Sequence, residues 1–165
     1  MPNASRSWNL TDLHHVGLTV ADIERAVAFY RDVLGMVLIR RREADADYIA
    51  KQTGFEAARL AVASFKVSEG SSQSLEIIQY RSHPGEALAA GTNQPGTSHL
   101  CIVVDDLVEA YQDLSARGVS FKSDPVDITS GPNEGGRVIY FSDPDGHVLE
   151  LFQPPGGAWT RLDVE

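Results

Sequence analysis

Four side chains of this sequence have the types and positions that a metal site requires. His15 and His99 each begin a segment rich in branched apolar residues, and Glu76 and Glu150 each follow a leucine and precede two apolar residues and a glutamine. Imidazole and carboxylate groups bind Zn, Ni, Co, Mn and Fe, and four such ligands leave positions for water or substrate oxygens. A lone strand histidine is usually structural, but a His and a Glu repeated in both halves of a chain indicate a shared role. We therefore predict a divalent metal held by these four residues.

The chain carries an internal repeat that places the two histidines and the two glutamates in equivalent positions. Residues 15–23 correspond to residues 99–107, and each segment is followed by a helical pattern and later by the Leu-Glu sequence. A repeat of this kind indicates two copies of one supersecondary unit. We expect one domain over residues 1–165, built from modules at about 13–82 and 97–154.

Each module is predicted to have the element order βαβββ. The apolar patterns predict strands near residues 13–20, 36–42, 58–67, 74–80, 98–104, 119–123, 137–142 and 147–153. Asp22 and Asp106 are suited to cap the helices, which should end before Gly35 and Gly118. The extra length of the first module lies in residues 45–57, where we expect a loop with a short helix.

The two modules together predict an α+β fold with a concave surface. A βαβββ module cannot cover its own sheet, and two of them packed side by side form a half-open, eight-stranded barrel. Because side chains alternate along a strand, the four proposed ligands can all face the inside of this barrel. The sequence leaves open whether the modules pair within one chain or across a dimer. Because the open sheet edges need covering, we expect a homodimer.

Tyr140 is a candidate substrate contact. Residues 143–146 read as a tight turn, and a three-residue hairpin loop pairs Asp143 with His147. This register places Tyr140 opposite Glu150 on the same face. A tyrosine packed in the barrel, without contact to substrate, is the alternative.

The other three histidines are expected to be structural. His14 should face away from His15 if both lie on one strand. His83 precedes a proline in a loop and has no counterpart in the second module. His147 lies three residues from Glu150, and therefore on the other face of the strand.

Composition narrows the possible partners and compartment. The chain has 165 residues, and its 23 acidic against 14 basic residues give a formal charge of −9, which disfavours nucleic acid as a partner. Its single cysteine, Cys101, cannot form an internal disulfide and fits a reducing compartment. The N-terminal residues do not resemble a signal peptide, and no apolar stretch is long enough to span a membrane. We therefore expect a cytoplasmic protein.

These motifs resemble those of the vicinal oxygen chelate superfamily. The resemblance covers residues ~13–154 and rests on the segments 15–20, 96–99 and 140–151. The superfamily includes glyoxalase I, methylmalonyl-CoA epimerase, extradiol dioxygenases, and the fosfomycin and bleomycin resistance proteins. The resemblance implies the glyoxalase fold and a divalent metal that binds two neighbouring substrate oxygens. It also implies proton abstraction with a metal-stabilised enediolate.

Comparison with individual subfamilies separates the possible reactions. The chain resembles glyoxalase I at all four ligand positions, but Thr19 and Tyr80 stand where bacterial forms have an arginine and an asparagine for glutathione. Methylmalonyl-CoA epimerases have a second carboxylate on the third strand, whereas residues 59–65 contain none. The fosfomycin enzymes use three ligands, and have a threonine at the position of Gly17.

The resemblance implies a metal-dependent lyase or isomerase, similar to glyoxalase I or to an epimerase, that acts on a small α-oxygenated carbonyl compound. Glu150 is the first candidate for the base and Glu76 the second. One alternative is an Fe(II) extradiol dioxygenase, which would use only His15, His99 and Glu150. Another is a protein of the same fold that binds an antibiotic or other small molecule without turnover.

Overall fold

The elements follow the order βαβββ twice. A computed structural model describes residues 7–87 and 91–157. The first module comprises β1 (His15–Thr19), α1 (Ile23–Ala28), a π-helical turn (Phe29–Val33), β2 (Val37–Ala44), α2 (Asp47–Thr53), β3 (Leu60–Lys66) and β4 (Ser74–Tyr80). The second comprises β5 (His99–Val103), α3 (Leu107–Ala116), β6 (Val126–Asp127), β7 (Arg137–Ser142), β8 (Val148–Gln153) and a short 3₁₀ turn (Pro155–Gly157).

The strands form two four-stranded sheets with the same topology. The strand orders are β1-β4-β3-β2 and β5-β8-β7-β6. In both sheets the first and fourth strands of the module are parallel, and the other neighbours are antiparallel. The sheets do not close into a full barrel, so a concave surface stays open. The predicted α+β fold of two βαβββ modules is confirmed.

The predicted helix boundaries follow from capping residues. The side chains of Asp22 and Asp106 each accept hydrogen bonds from two backbone N–H groups of the first helical turn, as an N-cap does. Gly35, with φ of 73°, takes the left-handed conformation at the end of the first helical stretch. The π-helical turn was not predicted, because apolar spacing does not distinguish a π turn from an α-helical one. None of the helices in the described ranges is long and apolar enough to cross a membrane.

One strand lies further along the chain than its sequence pattern predicts. Instead of a strand at 119–123, Phe121 forms a single bridge to Phe141, and the strand proper is Val126–Asp127. Pro125 lies between them and has no N–H group for a sheet hydrogen bond, so the pairing is interrupted there. The short helix expected within residues 45–57 is present as α2.

The main core lies on the sheet faces that carry α1 and α3. Alternate residues of the two central strands are buried there, and the largest fully buried side chains are Tyr30, Phe65, Phe141, Ile23, Ile77, Leu107, Ile139 and Leu149. Since side chains alternate along a strand, the glutamates at 76 and 150 point away from this core. The core therefore fixes the strands that position the candidate ligands without enclosing the ligands themselves.

Polar contacts join the two modules around the β7–β8 hairpin. Tyr30 donates a hydrogen bond of 2.9 Å to Asp143, whose carboxylate is only 5% exposed. Asp145 accepts hydrogen bonds from the Arg25 guanidinium at 2.7 Å and from the backbone N–H of Ala21 at 3.1 Å. These bonds, of which only the one between Tyr30 and Asp143 is buried, fix the hairpin of the second module against α1 and the residue Ala21 before it.

Candidate functional site

The first histidine and the first glutamate lie next to each other on one face of the first sheet. In the parallel pairing of β1 with β4, Gly17 lies opposite Glu76, and His15 is two residues before Gly17 on the same face. The distance from His15 Nε2 to Glu76 Oε2 is 3.7 Å. The Ser64 hydroxyl donates a hydrogen bond of 3.3 Å to the other Glu76 oxygen. The carboxylate is thus held from β3 and is 19% exposed, whereas the imidazole is 39% exposed.

The second module repeats this arrangement. Cys101 lies opposite Glu150 in the pairing of β5 with β8, and His99 is two residues before Cys101. His99 Nε2 is 2.9 Å from Glu150 Oε2, and the side chains are 47% and 14% exposed. The internal repeat of the sequence therefore becomes a repeated geometry, with a half-exposed imidazole beside a mostly buried carboxylate in each sheet.

The spacing within each pair suits two ligands of one metal ion. Ligand atoms about 2.1 Å from an ion lie roughly 3.0–3.5 Å from each other at octahedral or tetrahedral angles, and 2.9 Å and 3.7 Å bracket this range. A pair supplies only two ligands, however, whereas catalytic zinc sites use three or more. In residues 7–87 and 91–157, no three His, Cys, Asp or Glu side chains form a group that could hold a metal ion. One chain thus presents two candidate half-sites, each a single His–Glu pair.

A cavity of about 360 Å³ lies at the junction of the two modules. Its lining comes from the end of β1, from residues 84–87 and 96–98, and from the β7–β8 turn. It contains none of the four candidate ligands. Within the described residues, this cavity and the two His–Glu pairs therefore have no residue in common.

Tyr140 lies where the hairpin register predicts. It pairs with Glu150 across β7 and β8, and Asp143 N–H donates to the carbonyl of His147 at 3.0 Å, so the three-residue loop is confirmed. The ring packs edge-on against His99, with 5.5 Å between ring centroids. Burial and the neighbouring Glu150 carboxylate raise the pKa of the Tyr140 hydroxyl, which therefore stays protonated near neutral pH. A protonated phenol beside Glu150 can donate a hydrogen bond to a substrate oxygen.

Cys101 lies between the second histidine and the second glutamate in the strand pairing. Loss of hydration around the sulfur, followed by the charge of Glu150, raises the pKa of the Cys101 thiol to about 12. The thiol is therefore neutral near pH 7 and a poor nucleophile. The strand alternation of the sequence already places Cys101 on the same face as His99. The contact of Ser64 with Glu76 could not be predicted from strand alternation, because it depends on the β3–β4 register, which is set by a seven-residue loop.

The structure corrects the expectation for His14. Its Nδ1 lies 2.7 Å from Nδ1 of His15, and the rings meet edge to face. Strand β1 begins only at His15, so strand alternation does not apply to the preceding residue. His14 is thus placed to orient the candidate ligand. His147 and His83 make ordinary structural contacts: the first with the carbonyl of Thr19 at 2.8 Å, the second stacked on Phe55.

Comparison with known proteins agrees with this fold. A 2-epi-5-epi-valiolone epimerase from Actinomyces sp. is 34% identical over 157 residues, which cover 93% of this chain and 85% of the relative. The lactoylglutathione lyase of Pseudomonas aeruginosa is 30% identical over 148 residues, covering 85% and 81%. Among solved structures, a glyoxalase family protein from Bacillus cereus superposes with a TM-score of 0.80 at 19% identity, covering 93% of this chain and all of the other.

A fosfomycin resistance protein from Listeria monocytogenes, crystallised with Mn(II) and sulfate, superposes with a TM-score of 0.54 at 20% identity, covering 87% of this chain and 93% of that protein. The family model of the Glyoxalase/Bleomycin resistance protein/Dioxygenase superfamily matches residues 12–151, most of the chain. The two modules and their sheet order agree with this match, and this chain belongs to the glyoxalase/bleomycin resistance protein/dioxygenase superfamily.

Proposed function

We propose that this chain is a divalent-metal-dependent isomerase that epimerises a small α-hydroxy ketone by moving a proton at the carbon next to the carbonyl. The observation that carries the proposal is the repeated His–Glu pair, with His15 against Glu76 and His99 against Glu150. Two relatives, an epimerase and a lactoylglutathione lyase, support the lyase or isomerase class. The epimerase is the more similar of these two relatives.

We further propose that two copies of the chain complete the metal site. Each half-site supplies one imidazole and one carboxylate, and both imidazoles are half exposed, as expected for a surface that a second copy covers. In a two-fold dimer the half-site His15–Glu76 of one copy meets the half-site His99–Glu150 of the other, which gives two equivalent four-ligand sites. When bound, the divalent ion acts as a Lewis acid for negative charge on the substrate oxygens.

The residues of the chain account for the proton movement. The Glu150 carboxylate takes the proton from the carbon beside the carbonyl, the electron pair of the broken C–H bond forms a C=C bond, and the C=O π pair moves to the oxygen. The reverse electron movement, with a proton delivered to the opposite side of the carbon by Glu76 in its protonated form, inverts that carbon; Glu150 then loses its proton to solvent and Glu76 takes one up. His99 lies 2.9 Å from the Glu150 carboxylate, and the Tyr140 ring packs against His99, so these two residues position the base.

The substrate is more consistent with a hydroxy ketone than with a glutathione adduct. Thr19 and Tyr80 replace the arginine and asparagine that bind glutathione in bacterial lyases resembling this chain. The name of the epimerase relative makes 2-epi-5-epi-valiolone the first compound to test. We also propose that the protein is cytoplasmic and that its substrate is a small molecule.

Solvent deuterium incorporation tests the proposal. Metal-loaded protein in D₂O is incubated with 2-epi-5-epi-valiolone, a methylglyoxal–glutathione hemithioacetal and methylmalonyl-CoA, and deuterium at the carbon next to the carbonyl is measured by NMR. We expect exchange in the hydroxy ketone, with little in the thiol adduct. Oxygen uptake with a catechol, without deuterium exchange in any of the three compounds, would indicate a dioxygenase instead of an isomerase. Binding of the ketone with neither exchange nor oxygen uptake would leave a binding protein.

A further inference from the structure

Three cationic side chains share the sheet face that carries Glu76. Across the strands of the first sheet Arg40 pairs with Ser64, and Ser64 pairs with Glu76. Paired residues of neighbouring strands project from the same face, and so do residues two positions apart on one strand. Arg42 on β2 and Lys66 on β3 therefore lie on this face with Arg40. Arg40 lies directly beside Ser64 on the strand further from β1, with Arg42 two residues along the same strand; Lys66 lies two residues after Ser64 on β3.

Arg40 and Arg42 differ from most other arginines in the described ranges, because neither has a carboxylate partner. Ion pairs with Asp or Glu are made by Arg25, Arg31, Arg41, Arg81, Arg117 and Arg137. Arg41, between Arg40 and Arg42, points to the opposite face, where it pairs with Glu24. Within the ranges that the structure describes, neither Arg40 nor Arg42 has an ion-pair partner, although acidic residues outnumber basic ones by 23 to 14.

The position of the cations relative to the proposed site suggests what they bind. Glu76, Ser64 and Arg40 form one row across β4, β3 and β2, so the Cα atoms of Glu76 and Arg40 lie two strand spacings, or roughly 10 Å, apart. A small hydroxy ketone that reacts beside Glu76 can extend along this row. A charged group a few bonds from its carbonyl would then meet the guanidinium of Arg40.

We infer that Arg40 and Arg42 bind an anionic group, a carboxylate or a phosphate, so that an acidic α-hydroxy ketone is a better substrate than a neutral one such as 2-epi-5-epi-valiolone. Guanidinium groups bind both anions through paired, charge-assisted hydrogen bonds. The inference rests on the proposed function, and extends it from the reaction to the substrate class. A neutral hydroxy ketone would leave both cations without a partner.

Calorimetric titration of matched ligands tests this inference. The probes are dihydroxyacetone, which is neutral, dihydroxyacetone phosphate, and 5-hydroxylevulinate, which carries a carboxylate beyond the hydroxy ketone. Wild-type protein should bind the two anionic probes about ten-fold more tightly than the neutral one at low ionic strength. The Arg40→Gln/Arg42→Gln variant should lose this advantage and bind dihydroxyacetone as before. Arg41→Gln, on the same strand but the other face, should retain it.

Each other outcome counts against the inference. Equal binding of neutral and anionic probes by wild-type protein would overturn it, as would an equal loss in Arg41→Gln. Dissociation of the dimer in the double variant would instead assign the cations to the subunit interface. The proposed function is judged separately: deuterium exchange in a neutral ketone without any anion preference refutes only this inference, while anion preference without exchange in any probe refutes only the isomerase. Comparison of the phosphate and carboxylate probes identifies the anion.

Discussion

Glu150→Gln is expected to lower the rate of proton exchange at the substrate carbon by about 10²–10⁴-fold, the contribution of a well-placed base. Glutamine has nearly the same shape, and its amide oxygen can still contact a metal, but it cannot accept the proton. The carboxylate is 14% exposed and lies 2.9 Å from His99, so the substitution changes charge in a defined, mostly buried place. The rate is measured as deuterium incorporation, with metal content determined on the same sample.

The matched variant is Glu76→Gln, which changes the equivalent residue of the first module. It should reduce exchange less, because Glu150 remains as the first base. If Glu76→Gln reduces exchange more than Glu150→Gln, the roles of the two carboxylates are reversed. If both variants keep wild-type exchange rates with metal bound, neither glutamate is the base.

His15→Ala and His99→Ala are each expected to remove most of the bound metal. Loss of residues that only support metal ligands costs about 10–100-fold in affinity, so loss of a direct ligand should exceed this. His14→Ala should have a smaller effect, because His14 contacts the ring of His15 without belonging to either His–Glu pair. Metal per chain is measured by mass spectrometry on protein purified without chelators.

His147→Ala is the control for this experiment, since its ring hydrogen-bonds to the Thr19 carbonyl outside both half-sites. It should retain the wild-type metal content. Retention of metal in both His15→Ala and His99→Ala would show that these histidines do not hold it.

Much of the fold could be predicted from the sequence, because it depends on local patterns and on the internal repeat. The repeat predicted two modules with equivalent positions for the two histidines and the two glutamates, and the hairpin turn predicted Tyr140 opposite Glu150, as the structure has it. The hairpin prediction used residues close together in the chain, and the facing of side chains used the two-residue period of a strand. That the four candidate ligands hold a metal stays a prediction.

The errors and omissions involve contacts that such patterns do not determine. The apolar pattern predicted a strand at 119–123, but the strand is Val126–Asp127, directly after Pro125. His14 was predicted to follow the side-chain alternation of β1, but β1 begins only at His15. How the modules pack depends on contacts such as Tyr30 with Asp143, more than 100 residues apart in sequence. For this reason the sequence could not show that one chain holds its candidate ligands as two separate pairs.

A mixed dimer tests most directly whether two chains share one metal site. A dimer of one His15→Ala chain and one His99→Ala chain, isolated with two different affinity tags, has one site with both histidines replaced and one with all four ligands intact. We predict about one metal ion per mixed dimer, against two for the wild-type dimer and almost none for either variant alone. A mixed dimer as poor in metal as its parents, or a wild-type protein that is monomeric with metal bound, would contradict the shared site.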